Sequence, residues 1–243
     1  MTDFIAGVDG CPAGWIAAIH PDGEPAATEL CLFTSFADIL AHVPELATIA
    51  IDIPIGFPDH VSTGGRGPDI AARRVLGQRQ SAVFAMPSRA AVMCDDYREA
   101  CSAALATSDP PRKVSKQAFN LFAKVREVDA LMTPELQSRV FECHPEVAFW
   151  SLNDESPLTL AKKVKSRPNP PGLALRRKLL QREGYSTKAL ESKEFPTSKV
   201  GPDDILDACA NATTATRIRH GTAHRFPDKP ACDGRGLRME IWG

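Results

Sequence analysis

The sequence predicts an α/β fold in which a mixed sheet is flanked by helices. An uncharged apolar run, residues 4–8, ends at Asp9 and a turn rich in glycine and proline, which is typical of a buried central strand entering a hairpin. Two more strand-like segments, residues 15–20 and 28–33, follow directly, and a helical pattern begins after them. An antiparallel three-strand meander followed by a crossover indicates a mixed sheet.

Ser35 begins the predicted helix after the meander. Asp38 stands three residues later and apolar residues recur at helical spacing up to Val43, which predicts a capped amphipathic helix. The next apolar segment, residues 48–56, reads as a buried strand interrupted by Asp52. This strand is expected to end near its proline, because proline has no N–H for a sheet ladder.

Asp9 and Asp52 are the first candidate functional residues. If their strands are parallel neighbours, both carboxylates lie at the carboxyl edge of the sheet, where ligands of α/β sheets bind. A carboxylate beside a core is costly unless a cation or hydrogen bonds satisfy it. The alternatives are a turn-forming role for Asp9, since Asp-Gly is a common hairpin signal, and a loop-capping role for Asp52.

Residues 57–138 read as a largely helical insertion within a single domain of residues 1–243. The pattern predicts a long helix over 115–132, with a core-facing aromatic side and Lys116 in its first turn. An arginine-rich stretch near the start of the insertion favours either anion binding or an ordinary solvated helix face. Its members are Arg66, Arg73, Arg74 and Arg79.

Residues 139–146 predict another strand that ends in polar groups. Cys143 and His144 suggest metal ligation, but adjacent strand residues point to opposite faces, which disfavours a shared zinc ion. Glu142 and Glu146 are better candidates for magnesium or manganese, because carboxylate oxygens suit these hard cations. The strand register decides which glutamate faces the site, and the sequence leaves it open.

A basic segment and an acidic helix complete the candidate site. Residues 161–180 contain seven lysines and arginines, Lys162 and Lys163 among them, and no acidic residue. This segment predicts either contacts to a phosphate backbone or an ordinary basic surface. Pro202 begins the last strong helix, and Asp204 and Asp207 share one face of it at i, i+3 spacing.

The composition limits the classes of protein that remain. The net charge is −1, so binding of a polyanion requires a local basic patch. Seven cysteines without a Cys-x-x-Cys pair favour reduced thiols and a cytoplasmic location. No signal-peptide pattern and no run of about 18 apolar residues is present, which predicts no membrane association.

These motifs together resemble the domain-of-unknown-function 429 family, which is described as predicted nucleases with a ribonuclease H-like fold. More distantly, the chain is similar to Holliday-junction resolvases of the RuvC type, which carry acids at the equivalent strand ends and an Asp-x-x-Asp-Ala on the final helix. The resemblance implies a ribonuclease H-like sheet and an acidic cluster of Asp9, Asp52, Asp204 and Asp207, to which Glu142 is a possible addition. The matching segments, in chain order, are residues 7–15, 51–56, 73–89, 115–117, 142–146 and 204–208.

The hypothesis that follows is metal-dependent hydrolysis of a phosphodiester in nucleic acid. Crowded carboxylates repel one another unless cations neutralise them, and two Mg²⁺ or Mn²⁺ ions about 4 Å apart would do so. Asp9 would bridge the ions, Asp52 and Asp207 would hold one each, and Asp204 or Glu142 would complete a shell. The residues expected to contact phosphates are Arg73, Arg74, Lys116, Lys162 and Lys163.

Two alternatives come from other functional classes. A nucleotide-binding phosphotransferase of the actin-like fold also carries an aspartate on its first strand, but it requires two duplicated halves, and the sequence shows one. A non-catalytic binding scaffold with the same fold agrees with the near-neutral charge. The number of candidate acids argues against it, because a carboxylate cluster without a cation is destabilising.

Overall fold

The computed structural model describes residues 3–44, 47–165 and 167–243. The chain divides into two compact units. The first comprises Met1–Asp52, Arg139–His224 and Trp242–Gly243, and the second comprises Ile53–Ser138 and Arg225–Ile241. The predicted insertion of residues 57–138 falls within the second unit, and the assignment of one domain to the whole chain stays a prediction.

The elements of the described residues are short strands and mostly short helices. The strands are β1 (Phe4–Cys11), β2 (Gly14–Pro21), β3 (Glu29–Phe33), β4 (Thr48–Ile51), β5 (Val61–Ser62), β6 (Ser108–Asp109), β7 (Val140–Glu142), β8 (Lys163–Val164), β9 (Arg167–Pro168), β10 (Arg225–Phe226) and β11 (Ile241–Trp242). The α-helices are α1 (Phe36–His42), α2 (Gly67–Leu76), α3 (Arg89–Val92), α4 (Tyr97–Ala106), α5 (Lys116–Phe119), α6 (Phe122–Leu131), α7 (Pro145–Leu152), α8 (Pro170–Arg182), α9 (Thr187–Leu190) and α10 (Pro202–Arg219).

The central sheet of the first unit has the strand order β3-β2-β1-β4-β7. The first three strands form an antiparallel meander, and β4 and β7 continue the sheet in parallel with β1. The predicted α/β class is therefore confirmed, with the mixed, ribonuclease H-like arrangement of a meander followed by parallel strands. The parallel pairing of β1 with β4 places the ends of these two strands at one edge.

Helix α10 covers one face of this sheet and packs along β1, β2 and β4. The contact is unusually close at Gly7, where a Cβ atom would lie 2.0 Å from the backbone N of Ala212 and 2.1 Å from the backbone O of Ala208. Only glycine leaves room for the helix backbone at this distance. Helices α7 and α8 pack against α10 and extend the core.

Helix α1 has the predicted cap. The Ser35 hydroxyl accepts a hydrogen bond from the Asp38 N–H at 3.2 Å, and the Asp38 carboxylate accepts one from the Ser35 N–H at 3.1 Å. These reciprocal bonds satisfy two backbone donors that the first helical turn leaves without partners. The buried side chains of Phe36 and Ile39 then fix the helix to its unit.

The second unit contains α2 to α6, and the prediction of a single helix over 115–132 is wrong. The structure has α5 and α6 instead, with Asn120 and Leu121 between them. The apolar spacing continues across the break, because Phe122, Val125 and Val128 are all buried. Periodicity alone therefore did not reveal the interruption.

The strand predicted over 139–146 is also too long. Strand β7 ends at Glu142, and Pro145 begins α7. Proline is favoured in the first helical turn, where its missing N–H costs nothing. Glu146 is therefore a helix residue rather than a strand residue.

Of the helices that the structure describes, none combines the length and the apolar character needed to cross a membrane.

Candidate active site

Asp9 and Asp52 lie at the carboxyl ends of neighbouring parallel strands. Val8 pairs with Ile51 in the register of β1 and β4, and the Asp52 N–H donates to the Val8 carbonyl at 3.0 Å. Each aspartate follows its paired residue directly, so the two carboxylates project from the same face of the sheet. Asp9 is 7 % exposed and Asp52 is half-buried.

That face is the one covered by α10. Gly7 precedes Asp9 by two residues, so both belong to the same face of β1, and Gly7 touches the α10 backbone. Asp204 and Asp207 stand in the first two turns of α10, and both are buried. Helix and sheet therefore bring together four of the predicted acids.

The pKa of Asp9 depends on burial and on the charges of the neighbouring side chains. Burial raises the pKa of Asp9 well above its ordinary value, and the negative charges of Asp207 and Asp52 raise it further. Asp204 acts in the same direction, whereas the ammonium of Lys162 opposes the rise. The cluster therefore disfavours negative charge unless a cation is present.

Asp207 is the most deeply buried of these acids, at 1 % exposure. Burial raises the pKa of Asp207 to about 7, although the nearby ammonium of Lys162 opposes the rise. Lys162 Nζ donates a hydrogen bond to Oδ2 of Asp207. Among the described residues none donates to the other oxygen, Oδ1, although it is also buried. One carboxylate oxygen is thus left for a ligand that the protein itself does not supply.

Asp203 and Asp204 each have a structural partner. The Gly201 N–H donates to Oδ2 of Asp204 at 2.8 Å, which completes the cap of α10. Lys163 Nζ lies 2.6 Å from Oδ2 of Asp203. Burial raises the pKa of Asp204, and the hydrogen bond from Gly201 counteracts it. Asp204 therefore contributes charge to the cluster while also holding the helix start.

Neither predicted glutamate joins the four aspartates. Glu142 pairs in register with Ile51, so its side chain shares a sheet face with Ile51 and not with Asp52. The neighbouring Cys143 instead faces α10, because its thiol is hydrogen-bonded to Thr214. Glu146 accepts a 2.6 Å hydrogen bond from the buried Arg176. Glu142 thus lies on the opposite face of the sheet, and Glu146 is held in an ion pair.

The other predicted substrate-binding residues belong to the second unit. Arg73 Nε donates to the Asp69 carbonyl at 2.9 Å, and Arg74 is exposed. Lys116 places its ammonium 4.3 Å from the centre of the Tyr97 ring. Contact of these three residues with a phosphate stays a prediction. Lys162 and Lys163, by contrast, reach acids of α10 within the first unit.

The side chains of the acidic cluster have the right chemistry for a divalent cation, but they are not yet arranged around one. Asp9, Asp52 and Asp207 supply the hard oxygen ligands that Mg²⁺ and Mn²⁺ prefer, and Asp207 Oδ1 is buried without a hydrogen-bond donor in the described part of the chain. Against this, no group of three His, Cys, Asp or Glu side chains within residues 3–44, 47–165 and 167–243 is already arranged as a metal site. A cation would therefore draw these carboxylates closer together.

Sequence reasoning missed two residues that position the cluster. Asn211 lies one turn beyond Asp207 and is completely buried, and its Nδ2 donates to the Val8 carbonyl at 2.9 Å. Arg176 belongs to the basic segment 161–180, for which the sequence predicts either phosphate contacts or an ordinary basic surface, but its side chain is 0 % exposed. The i, i+4 spacing of Asp207 and Asn211 was a usable signal for the first residue, whereas no local pattern marks the second as buried.

The raised pKa values predict how stability depends on pH in metal-free buffer. A carboxyl group whose pKa is higher in the folded chain binds its proton better when folded, so folding weakens as the pH rises. The penalty begins near about pH 4, the pKa of an unfolded Asp, and for Asp207 it is complete above a folded pKa of about 7. We expect the melting temperature in EDTA to fall between pH 5 and pH 8.

Asp9→Asn is expected to make the melting temperature fall less steeply between pH 5 and pH 8, and to raise the melting temperature at pH 8. Removing a buried carboxyl group beside other negative charges is worth about 1–3 kcal/mol, or about 2–12 °C for a chain of this size. Asp59→Asn, which changes an exposed carboxylate, is the control and should have no effect. Thermal scans in which Asp9→Asn leaves both the pH dependence and the melting temperature unchanged would contradict the raised pKa of Asp9.

Fold and site together define an α/β protein with a ribonuclease H-like sheet and an acidic cluster at its carboxyl edge. The model of the family described as "Protein of unknown function (DUF429)" matches residues 7–231, and the chain belongs to this family. Comparisons with curated proteins and with solved structures found no match. The predicted family is therefore confirmed, and the function has to be argued from the site.

Proposed function

We propose that the protein is a metal-dependent phosphodiesterase that hydrolyses nucleic acid. The observation that carries the proposal is the meeting of Asp9, Asp52 and Asp207 at one sheet edge, with an oxygen of Asp207 that no described residue satisfies. Carboxylates arranged in this way are costly to bury unless they serve a cation. A divalent ion bound there would supply an activated water and stabilise the leaving oxygen.

The chain's own residues have distinct parts in this proposal. Asp9 and Asp52 would hold the cation from the ends of β1 and β4, and Asp207 would contribute an oxygen from α10. The β8–β9 hairpin carries the exposed basic side chains of Lys163, Lys165 and Arg167, and Lys163 reaches Asp203 of α10. Their positive charge would attract and hold the phosphate backbone, which dominates the affinity of proteins for nucleic acid. We infer a cytoplasmic location from cysteine usage.

Asp9→Asn tests the proposal directly. The full chain is incubated with Mg²⁺ or Mn²⁺ and with single-stranded RNA, single- and double-stranded DNA, a branched DNA junction and bis(p-nitrophenyl) phosphate. We expect cleavage of at least one of these by the wild type, and a loss of about a thousandfold in rate for Asp9→Asn, the scale set by removing a key electrostatic group. Melting curves establish that the variant is folded.

Glu142→Gln is the matched control. It also removes a buried carboxylate at a strand end, but from the opposite face of the sheet. We expect its cleavage rate to stay within about threefold of wild type, since its side chain lies on the face of the sheet away from the cluster. Wild-type protein that cleaves none of the substrates, or Asp9→Asn that cleaves as fast as wild type, would overturn the proposal.

A non-catalytic binding scaffold is the second candidate, and the ion pair of Lys162 with Asp207 favours it. The ammonium of Lys162 already offsets part of the negative charge of the cluster, so a bound metal ion would stabilise the fold less. This candidate predicts that Mg²⁺ and Mn²⁺ leave the melting temperature unchanged. A rise in melting temperature that saturates with metal concentration favours the phosphodiesterase instead.

A further inference from the structure

Lys162 is the positive charge that lies inside the acidic cluster. Its Nζ donates to Asp207, and the carboxylates of Asp207 and Asp9 raise its pKa against the opposing effect of burial. Its side chain is half-buried, unlike that of the neighbouring Lys163, which is 44 % exposed. Lys162 therefore contacts the group on which the proposed metal site depends.

The main chain around Lys162 is held firmly. Three consecutive carbonyls accept hydrogen bonds from α8 or from the residue that precedes it. Arg176 Nη1 donates to Leu160 O at 2.9 Å, Asn169 Nδ2 donates to Ala161 O at 2.7 Å, and the Asn169 N–H donates to Lys162 O at 2.8 Å. Arg176 is itself completely buried. The fixed backbone thus holds the start of the Lys162 side chain in place, and the side chain reaches Asp207 from there.

The two oxygens of Asp207 are in different situations. Oδ2 accepts the hydrogen bond from Lys162, whereas Oδ1 is buried and receives none from any residue in the described part of the chain. The ammonium therefore occupies Oδ2, and Oδ1 is the oxygen of Asp207 that remains for a divalent ion. A second divalent ion on Oδ2 would have to displace Lys162, because two cations bound to one oxygen repel each other strongly at a site with little water.

We infer that Lys162 takes the place of the second divalent ion, so that the cluster binds one Mg²⁺ or Mn²⁺ and keeps the lysine on Asp207. The inference rests on the proposed function, because it concerns the same cation site. It replaces the two ions expected from the sequence by one ion and one ammonium. Asp9 and Asp52 remain available for the ion, and Asp207 Oδ1 completes the set of oxygens.

Counting bound Mn²⁺ by isothermal titration calorimetry tests the inference on the full chain at pH 8. We expect one ion per chain for the wild type and for Lys162→Arg, which keeps the charge. We expect two ions for Lys162→Met, which keeps much of the side-chain volume and removes the charge. Lys163→Met is the matched control, because Lys163 pairs with Asp203, and it should still bind one ion.

Electron paramagnetic resonance shows where the additional ion binds. Two Mn²⁺ ions about 4 Å apart, as in two-metal sites, give the spin-coupled signal of an ion pair, and isolated ions do not. We expect the coupled signal in Lys162→Met alone. Melting curves of each variant in the presence of Mn²⁺ establish that the counted ions belong to folded protein.

The outcomes separate this inference from the proposed function. Two ions with a coupled signal in the wild type, or a single ion in folded Lys162→Met, would overturn the role of Lys162 and leave the metal-dependent phosphodiesterase in place. A wild type that binds no Mn²⁺ would overturn both.

Discussion

Gly7→Ala is expected to prevent stable folding of the first unit. The new methyl group would lie 2.0 Å from the Ala212 backbone N and 2.1 Å from the Ala208 backbone O, and neither atom belongs to a side chain that can turn away. Overpacking a core usually costs about 1–3 kcal/mol, but here a whole helix has to move off the sheet. We expect a loss above about 4 kcal/mol, against a total stability of about 5–15 kcal/mol.

The gain from replacing glycine in the unfolded chain, about 0.4–1 kcal/mol, is too small to offset this clash. Chemical denaturation of the soluble fraction measures the effect. Gly67→Ala is the control, because Gly67 lacks a positive φ and a Cβ there has no neighbour within 4 Å among the described residues. It should change stability by less than about 0.5 kcal/mol. Equal stability of the two variants would show that α10 does not approach β1 as closely as described.

Arg176→Met is expected to have the next largest effect, a loss of about 3–5 kcal/mol, or about 6–20 °C in melting temperature. Arg176 is 0 % exposed and its Nη2 lies 2.6 Å from Oε1 of Glu146, which is also buried. Removing the arginine leaves a buried carboxylate without its counter-ion. The variant also loses the hydrogen bond to the Leu160 carbonyl that fixes the approach to Lys162.

Arg177→Met is the matched control for this prediction. Arg177 is the next residue, and its ion pair with Glu191 is longer, at 3.6 Å, with Glu191 exposed and Arg177 partly buried. Long pairs with an exposed partner contribute about 0–1 kcal/mol. The double variant Arg176→Met/Glu146→Gln should recover part of the loss, because no buried charge is then left unpaired. If Arg176→Met and Arg177→Met have the same melting temperature, the ion pair of Arg176 with Glu146 does not stabilise the fold.

The parts of the fold that sequence reasoning reached are those set by local signals. Ser35 and Asp38 predicted the cap of α1, and the alternation of strands and turns predicted the meander. The errors also have local causes. The apolar spacing of residues 115–132 persists through the break before Phe122, and Pro145 was assigned to a strand although proline favours the first turn of a helix.

The acidic cluster was predictable because parallel neighbours bring strand ends together. Asp9 and Asp52 follow paired residues of β1 and β4, and Asp207 needed only the packing of α10 on that face. The face of the sheet on which Glu142 lies depends on the register of β7, which no local pattern supplies. The approach of Lys162 to Asp207 joins residues 45 positions apart and depends on the backbone contacts of Leu160–Lys162 with Asn169 and Arg176, which no local pattern supplies.

The pairing of β1 with α10 also sets an order of events during synthesis. Roughly two hundred residues separate the strand from the helix that covers it, and at about 5–20 residues per second a ribosome needs roughly 10–40 s to make them. Throughout that interval Asp9 has no α10 to bury it and Asp207 does not yet exist. A nascent or prematurely terminated chain therefore lacks the assembled carboxylates, and the site matures only when the final helix has been translated.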